Sequence, residues 1–448
     1  MSWIYTLLFA FLPFFSFAQE DKNIVVSPDL HVRTFWMSTS YQDDFKNDFA
    51  LGTSVNLGGK VKFENFEFHV GYRVFANLWS SDLTVSDPLS GQTNRYEVGL
   101  FDLLNPSDRL FGKLETLSIS YQKSNWGVTL GRMGINSDWI NAQDGRLSPT
   151  AIEGVHTWFK STKNWKFDLW VISRMSIRGS SEWLGVGETV GVFPVARGVD
   201  GRPSSYFGNT KSDWIGIFEL SKQWKSLSLS FSNTLVDNIS NTAWLATENS
   251  WNKSTDTWFT GVQAGFQNGL GEGGNSDLRL AYKNPKDQNW ATSGRFGWKN
   301  KNWTSHLSYT KTGGNGRWLS PREWGKDAWY TFIPRERNEG YQSVEALAVY
   351  AERRFIKLGL TAYLHMGFHW LPDMDDSFAN KYNSPSYRQL NLGLKYKPQA
   401  TNRFDIHFIV MNKESIEKVD LTPAQHYNKV GLWHVNLIAN FRINSDKL

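Results

Sequence analysis

The run Phe66-Glu-Phe-His-Val-Gly-Tyr-Arg-Val-Phe-Ala-Asn77 alternates with a period of two. Phe66, Phe68, Val70, Tyr72, Val74 and Ala76 fall on one face, and Glu67, His69, Gly71, Arg73 and Asn77 on the other. An extended chain sends successive side chains to opposite sides, so the run reads as a strand with one apolar and one polar face. The rhythm recurs. Leu117, Ile119 and Tyr121 alternate with Thr116, Ser118 and Ser120, and Ser226-Leu-Ser-Leu-Ser-Phe-Ser232 is perfectly regular. Leu390, Leu392, Leu394 and Tyr396 oppose Gln389, Asn391, Gly393 and Lys395. Trp433, Val435, Leu437, Ala439 and Phe441 oppose His434, Asn436 and Asn440. Segments of this kind begin near residues 30, 49, 65, 112, 126, 151, 166, 213, 226, 241, 256, 277, 290, 302, 344, 357, 386, 402 and 430, which makes 19 candidates. Helical periodicity is confined to Lys413–Val419.

Composition says what solvent these strands face. The chain holds 22 Trp, 30 Phe, 16 Tyr and 37 Gly, yet its mean hydropathy is −0.44. That combination suits a transmembrane barrel, in which lipid-facing and water-facing residues average out and aromatics form two interfacial girdles. A bacterial single-chain barrel has an even strand number, here about 18. Apolar faces this uniform do not suit a soluble β-sandwich, and no blade-length repeat supports a propeller. Beyond the N-terminal segment no run of about 18 apolar residues occurs, so helical spans are excluded. A net charge of +5 over 448 residues is too mild to imply nucleic acid. The absence of Cys rules out a disulfide scaffold and thiolate metal sites.

The N-terminus reads MSWIYTLLFAFLPFFSFAQE, with an apolar core over Leu7–Phe15 and small residues Ser16 and Ala18 before Gln19. Residues 1–18 are therefore expected to be a signal peptide and residues 19–448 the barrel domain. The implied location is the outer membrane of a Gram-negative cell, reached through export and barrel-assembly machinery. The connections fit. Lys123-Ser124-Asn125, Lys163-Asn164, Lys225 and Asn300-Lys301-Asn302 are tight junctions suited to periplasmic turns. Long polar connections run over residues 82–112, 134–150, 179–211, 312–342, 372–386 and 413–429, as external loops do.

In a pore the face opposite the lipid is the working surface. Strand parity sends Arg33, Arg73, Arg174, Arg279, Arg295 and Arg354 inward, with the acids Glu67, Asp168, Glu219, Glu352 and Asp405. Guanidinium groups stay charged and match a carboxylate with a planar fork, so such a set could act as a ladder for anionic solutes. The competing reading is a solvated wall in which Arg and Asp/Glu pair across strands. Other signals carry no chemistry. His365 and His369 lie four apart, roughly 13 Å along a strand, too far for one metal. Gly269-Leu-Gly-Glu-Gly-Gly274 has no helix after it and reads as a loop rather than a dinucleotide site. No Gly-x-Ser-x-Gly elbow occurs, no His/Ser/acid set has recognisable spacing, and neither an enzyme nor a cofactor is expected.

The segment Gly131–Val155, GRMGINSDWINAQDGRLSPTAIEGV, joins two alternating runs through a long polar loop. It resembles the signature of the OprD family of substrate-specific outer-membrane porins: a Gly-Arg pair at a strand end, an Asp-x-Arg-Leu-x-Pro loop core, and a Glu-Gly strand start. Here these are Gly131-Arg132, Asp144-Gly145-Arg146-Leu147-Ser148-Pro149 and Glu153-Gly154. The N-terminal pattern, with Arg33 in the first strand and Phe49–Asn56 after a polar loop, is also similar. The resemblance implies an 18-stranded barrel whose third external loop folds inward to narrow the pore, with Asp138, Asp144 and Arg146 as its charged contributors. It further implies passive uptake of small solutes, often carboxylate-bearing ones. The chain departs from the family at its C-terminus, where Phe441 is followed by Arg-Ile-Asn-Ser-Asp-Lys-Leu448, and at Arg132, which parity from Val128 and Leu130 turns outward.

The expected function is thus a diffusion porin for small carboxylate-bearing or zwitterionic solutes, such as amino acids or organic acids. The loop from Gly313 to Arg337, with Trp318, Trp324, Trp329 and Tyr330, supports a saccharide porin as the alternative, because such rings stack on sugars. The alternative of another class is a non-conducting structural or surface-binding barrel. The expected partners are small-molecule solutes and outer-membrane lipid, and both monomer and homotrimer remain open.

Overall fold

The structure is a computed structural model that describes residues 24–143, 145–193 and 196–444. The expected signal peptide and the candidate constriction residue Asp144 lie outside the described residues. The strands are β1 (Ile24–Tyr41), β2 (Asp48–Phe63), β3 (Phe66–Ser80), β4 (Leu110–Gln122), β5 (Trp126–Gly134), β6 (Ala151–Lys160), β7 (Trp165–Ser176) and the two-residue β8 (Leu184–Gly185). They continue with β9 (Ile215–Gln223), β10 (Leu227–Val236), β11 (Ser240–Lys253), β12 (Asp256–Gly269), β13 (Gln288–Lys299) and β14 (Trp303–Gly314). The last are β15 (Val344–Phe355), β16 (Leu360–Trp370), β17 (Tyr387–Tyr396), β18 (Phe404–Ser415) and β19 (Leu432–Asn444). Each long strand pairs antiparallel with its neighbour in sequence, β7 passes directly to β9, and β19 returns to β1. β8 only extends the edge of β7, so 18 strands form the closed wall.

Burial is inverted relative to a water-soluble protein. Leu117, Leu130, Val171, Leu245, Val262, Leu307 and Leu392 are exposed, whereas Ser54, Thr234, Gln263, Ser308, Gln389, Asn391 and Asn436 are buried. A closed sheet leaves no backbone edge in lipid, and it turns an apolar face outward. Exposed tryptophans mark both borders of that face. Trp79, Trp214, Trp290, Trp370 and Trp433 stand at strand ends next to the long loops, and Trp126, Trp224, Trp251 and Trp303 at ends next to the turns.

Eighteen of the expected segments are strands, including those near residues 241 and 256. The one near 277 is not. Asp277-Leu-Arg-Leu-Ala-Tyr282 alternates, but the Asp277 carboxylate accepts the Arg279 backbone N–H at 3.0 Å and Leu280 N–H bonds to the Asp277 carbonyl at 2.9 Å. These local bonds build turns, so residues 270–287 form a further external loop. Lys413–Val419 is likewise not helical: β18 runs to Ser415, and the short helix lies at Pro423–His426, where the Gln425 side chain accepts the Thr422 N–H.

Glycine sets the close approaches around the signature segment. A Cβ on Gly154 would lie 2.1 Å from the Val171 carbonyl oxygen. Beside it, the register of β6 on β7 skips Ser173, so Glu153 faces Arg174 while Gly154 faces Ile172. Such a bulge reverses the faces beyond it. Gly154→Val should therefore lower the unfolding free energy of the reconstituted barrel by about 1–3 kcal/mol in a urea titration. Gly134→Ala, where an added Cβ meets nothing within 4 Å, should leave it unchanged.

Candidate functional site

The loop from Ile135 to Thr150 crosses the lumen. On one side the Leu147 carbonyl accepts the Ser54 hydroxyl of β2 at 2.9 Å and, at 3.5 Å, Arg73 Nη1 of β3. On the other, Asp138 accepts the Ser232 hydroxyl of β10 at 2.5 Å, and Trp139 packs edge-on to Trp244 of β11 at 5.2 Å. β2 and β11 are eight steps apart around the ring of 18, nearly a diameter. The loop is folded into the lumen, as the resemblance implied.

A second loop, from Asn315 to Ser343, folds in beside it. Trp318 and Trp329 lie 5.3 and 5.0 Å from Trp139, which completes a four-tryptophan cluster with Trp244. The two loops are also joined by backbone polarity: Asn141 N–H donates to the Trp324 carbonyl at 3.0 Å, and Lys326 N–H to the Asn141 side chain at 3.0 Å. Trp318, Trp324 and Trp329 are buried and hold the loops together. Farther along, the Pro334 carbonyl accepts from Gln389 and Asn391 of β17, and Arg335 Nε donates to Asn436 of β19 at 2.6 Å. Arg335 takes φ +86°, a conformation that L side chains rarely adopt and that persists only where surroundings over-determine it.

These loops divide the lumen. On the external side lies a chamber of about 100 Å³, and on the turn side a cavity of about 440 Å³. Gln143 and Arg146 line the first, Asn136 to Asp138 the second. The external chamber is strongly basic. Arg95, Arg146, Arg178, Arg322, Arg335, Arg337, Lys381, Lys413 and Lys429 line it against the carboxylates of Glu323 and Glu336. Glu336 pairs with Arg95 and Lys413, at 3.2 and 3.3 Å. Among the described residues Arg146 and Arg178 make no ion pair: Arg146 Nη1 donates to the Gly145 carbonyl, and Arg178 Nη2 to the Arg322 carbonyl.

Crowded like charges in a confined space shift the loop groups. Burial pushes Arg146 down to about 9, with Arg335 adding to the effect, yet it keeps its proton at neutral pH. Burial lowers Lys381 to about 8 and Lys429 to about 7, the latter helped by Arg197 and Arg95. Burial raises Glu97 to about 7. Burial also opposes the charge of Glu336, but Arg95, Lys413 and Arg322 hold it at about 2.

The residues expected from sequence scatter. Arg146 lies in the external chamber, and Asp138 faces the turn-side cavity. Arg73 points inward, buried, and pairs with Glu115 at 2.6 Å. Arg295 points inward and pairs with Glu248 at 2.5 Å; Arg354 pairs with Glu352 at 3.1 Å near the turn end. Two of the inward assignments fail. Arg174 lies beyond the Ser173 bulge, so it shares the outer face with Glu153 and donates to the Trp183 carbonyl. Arg279 belongs to the 270–287 loop, exposed and paired with Asp277 at 2.7 Å. The inward strand arginines also stand apart, Arg33 and Arg73 on β1–β3 and Arg295 and Arg354 on β13–β15, so they make no single column. Arg132 does face outward, paired with Glu153 at 2.7 Å. Strand parity missed Arg178, Arg322, Arg335, Arg337, Lys381 and Lys429 because loops have no period. The density of Arg between residues 317 and 337 was the available signal.

No protein-family model matches the sequence, and no curated protein matches it. Solved structures do match. The chain superposes on Pseudomonas aeruginosa OpdK, solved with vanillate, at a TM-score of 0.70 with 12% identity over 94% of this chain and 98% of that one. Acinetobacter baumannii OccAB4 gives 0.71, 12%, 95% and 100%, and P. aeruginosa OccK8 (OprE) gives 0.71, 14%, 94% and 98%. The fold is therefore that of the OprD-type porins.

The sign of the chamber's pH response follows from its loop groups. As pH rises from about 6 to about 9, Lys429 and then Lys381 lose protons. Both changes make the chamber less positive. Reversal potentials measured across a salt gradient should show anion preference declining over that range.

Proposed function

We propose that the chain is an outer-membrane porin for passive uptake of small hydrophilic solutes bearing a carboxylate, with organic acids and amino acids as the substrate class. The observation that carries this reading is the cation excess of the external chamber, directly above the loops that cross the lumen. Nine basic side chains and two carboxylates line it; Arg322 and Arg337 are paired with Glu339 and Asp327 behind the lining, while Arg146 and Arg178 keep hydrogen-bonding capacity that no described acid uses. A guanidinium fork in a narrow, partly desolvated space holds a carboxylate in two parallel bonds, while neighbouring cations keep the field continuous. The solute is drawn in by charge, sheds water where the chamber narrows, and passes the loop edges toward the turn-side cavity. Nothing in this sequence of events makes or breaks a covalent bond.

Planar-bilayer recording and liposome swelling test the proposal. Purified protein should open stable channels, and swelling should be faster with acetate or glutamate than with a neutral sugar of similar size. The double variant Arg146→Ala/Arg178→Ala should reduce anion preference on the order of two- to three-fold at low salt. Arg279→Ala, on the external surface, should leave it unchanged. A protein that forms no channels would overturn the porin reading in favour of a sealed structural barrel.

A further inference from the structure

The two ends of the barrel carry opposite charge. Eight turns close one end, and each has at least one exposed cation on it or within four residues, from Lys62 and Lys123 at the first two to Lys357 and Lys397 at the last two. Within those eight stretches fourteen exposed Lys and Arg stand against a single exposed carboxylate, Glu64. At the other end the balance reverses. Among the described residues of the nine external loops, twelve exposed acids stand against seven exposed bases. The modest net charge of +5 thus conceals a cationic collar around the turn end.

Two cations of the collar stand on the lipid-facing side. Strands β7 and β9 bring Trp165 opposite Lys222, on the face that carries the exposed pair Leu169 and Phe218. The Lys222 Nζ lies 4.5 Å from the centre of the Trp165 ring and 4.9 Å from that of Trp224. Six strands further round, Arg353 of β15 lies opposite Trp303 of β14, on the face of the exposed Leu307 and Val349. Its Cζ is 5.2 Å from the Trp303 ring and 4.8 Å from that of Phe355. The acids of these strand ends point inward and are already engaged, Asp168 with Lys166 at 2.7 Å and Glu352 with Arg354 at 3.1 Å. Among the described residues, neither Lys222 nor Arg353 makes an ion pair. A cation held over ring faces at the border of an apolar band keeps its stem in hydrocarbon and its charge in the head-group layer. The anion it meets at that depth is a phospholipid phosphate.

We propose that the turn end is a docking surface for acidic phospholipid of the adjacent leaflet, with Lys222 and Arg353 as two lipid-facing clamps and the turn cations as the field that enriches the lipid around them. A zwitterionic head group brings its own ammonium beside the phosphate. An acidic one does not, so it relieves the repulsion among the crowded cations of the collar. The tryptophans fix the depth of the contact and the cations fix its charge. This surface requires that the barrel stand in a membrane, and it is independent of whether the lumen conducts.

The test uses the full-length protein in phosphatidylcholine bilayers doped with spin-labelled phosphatidylglycerol or spin-labelled phosphatidylcholine. Electron paramagnetic resonance reads the fraction of each probe that is immobilised on the barrel. Phosphatidylglycerol should associate roughly two- to five-fold more strongly at low salt, and the excess should shrink at about 1 M salt. Lys222→Gln/Arg353→Gln and the turn triple Lys301→Gln/Lys357→Gln/Lys397→Gln should each lower the preference. Lys222→Arg should keep it, and Arg279→Gln on the external surface should leave it unchanged. Unheated electrophoretic mobility verifies that each variant compared is a folded barrel. Equal association of the two probes with the wild-type barrel would overturn the surface. Retention on isolated peptidoglycan that depends on the same lysines, without any lipid preference, would also overturn it and assign the collar to a cell-wall polyanion. Conductance recorded in the same bilayers keeps the two readings apart. Lipid preference without channels would overturn the porin and keep the surface, and channels without lipid preference would do the reverse.

Discussion

Trp139, Trp244, Trp318 and Trp329 meet inside the tube, beside two further buried apolar clusters, one around Ile140, Trp170 and Ile215 and one around Phe35, Phe75 and Leu147. Only Trp244 belongs to the wall; the other three arrive on loops. Each close aromatic pair contributes about 0.5–1.5 kcal/mol beyond the area it removes from water. Four indoles gathered at centroid separations of 5.0–6.2 Å therefore hold two long loops in the lumen against the entropy of leaving them loose. This cluster is one of several that give the lumen local cores. The positions of Arg146, Arg335 and Asp138 all follow from where it fixes the loop backbones.

That arrangement explains the division of labour between wall and loops. The wall neutralises most of its own charge: Arg73 is satisfied by Glu115, Arg295 by Glu248 and Arg354 by Glu352. A carboxylate that spends its strength on a wall partner has little left for a solute, and the same holds for the arginine. The loops pair Arg322 with Glu339 and Arg337 with Asp327, but they leave Arg146 and Arg178 without a described acid. An excess of like charge inside a protein is destabilising unless something else compensates. Here the compensation is mechanical, through the tryptophan cluster and the backbone bonds between the two loops.

Strand periodicity made most of the fold legible, because a lipid-facing wall has to alternate at every strand. It failed at two kinds of place. At residues 277–282 the alternation is real but the backbone bonds are local, since Asp277 offers its own carboxylate to the chain two residues on. At Ser173 one extra residue reverses the faces of β7 and carried Arg174 outside, and an inserted residue leaves no trace in the period on either side. The basic chamber was mostly invisible for a third reason: its side chains come from segments without any repeat. Arg146 alone was accessible, through a loop pattern rather than through periodicity.

The seam between β1 and β19 joins Asp29 to Asn444, almost the full length of the chain. No contact in the wall has a larger sequence separation, and loop closure of that span comes before any of its bonds form. Until the last strand is in place, the growing sheet has two bare edges of unpaired amides and carbonyls, each able to recruit a foreign strand. β19 therefore acts as a zip that ends a vulnerable state, and its removal would cost not one strand from eighteen but the closure of all of them.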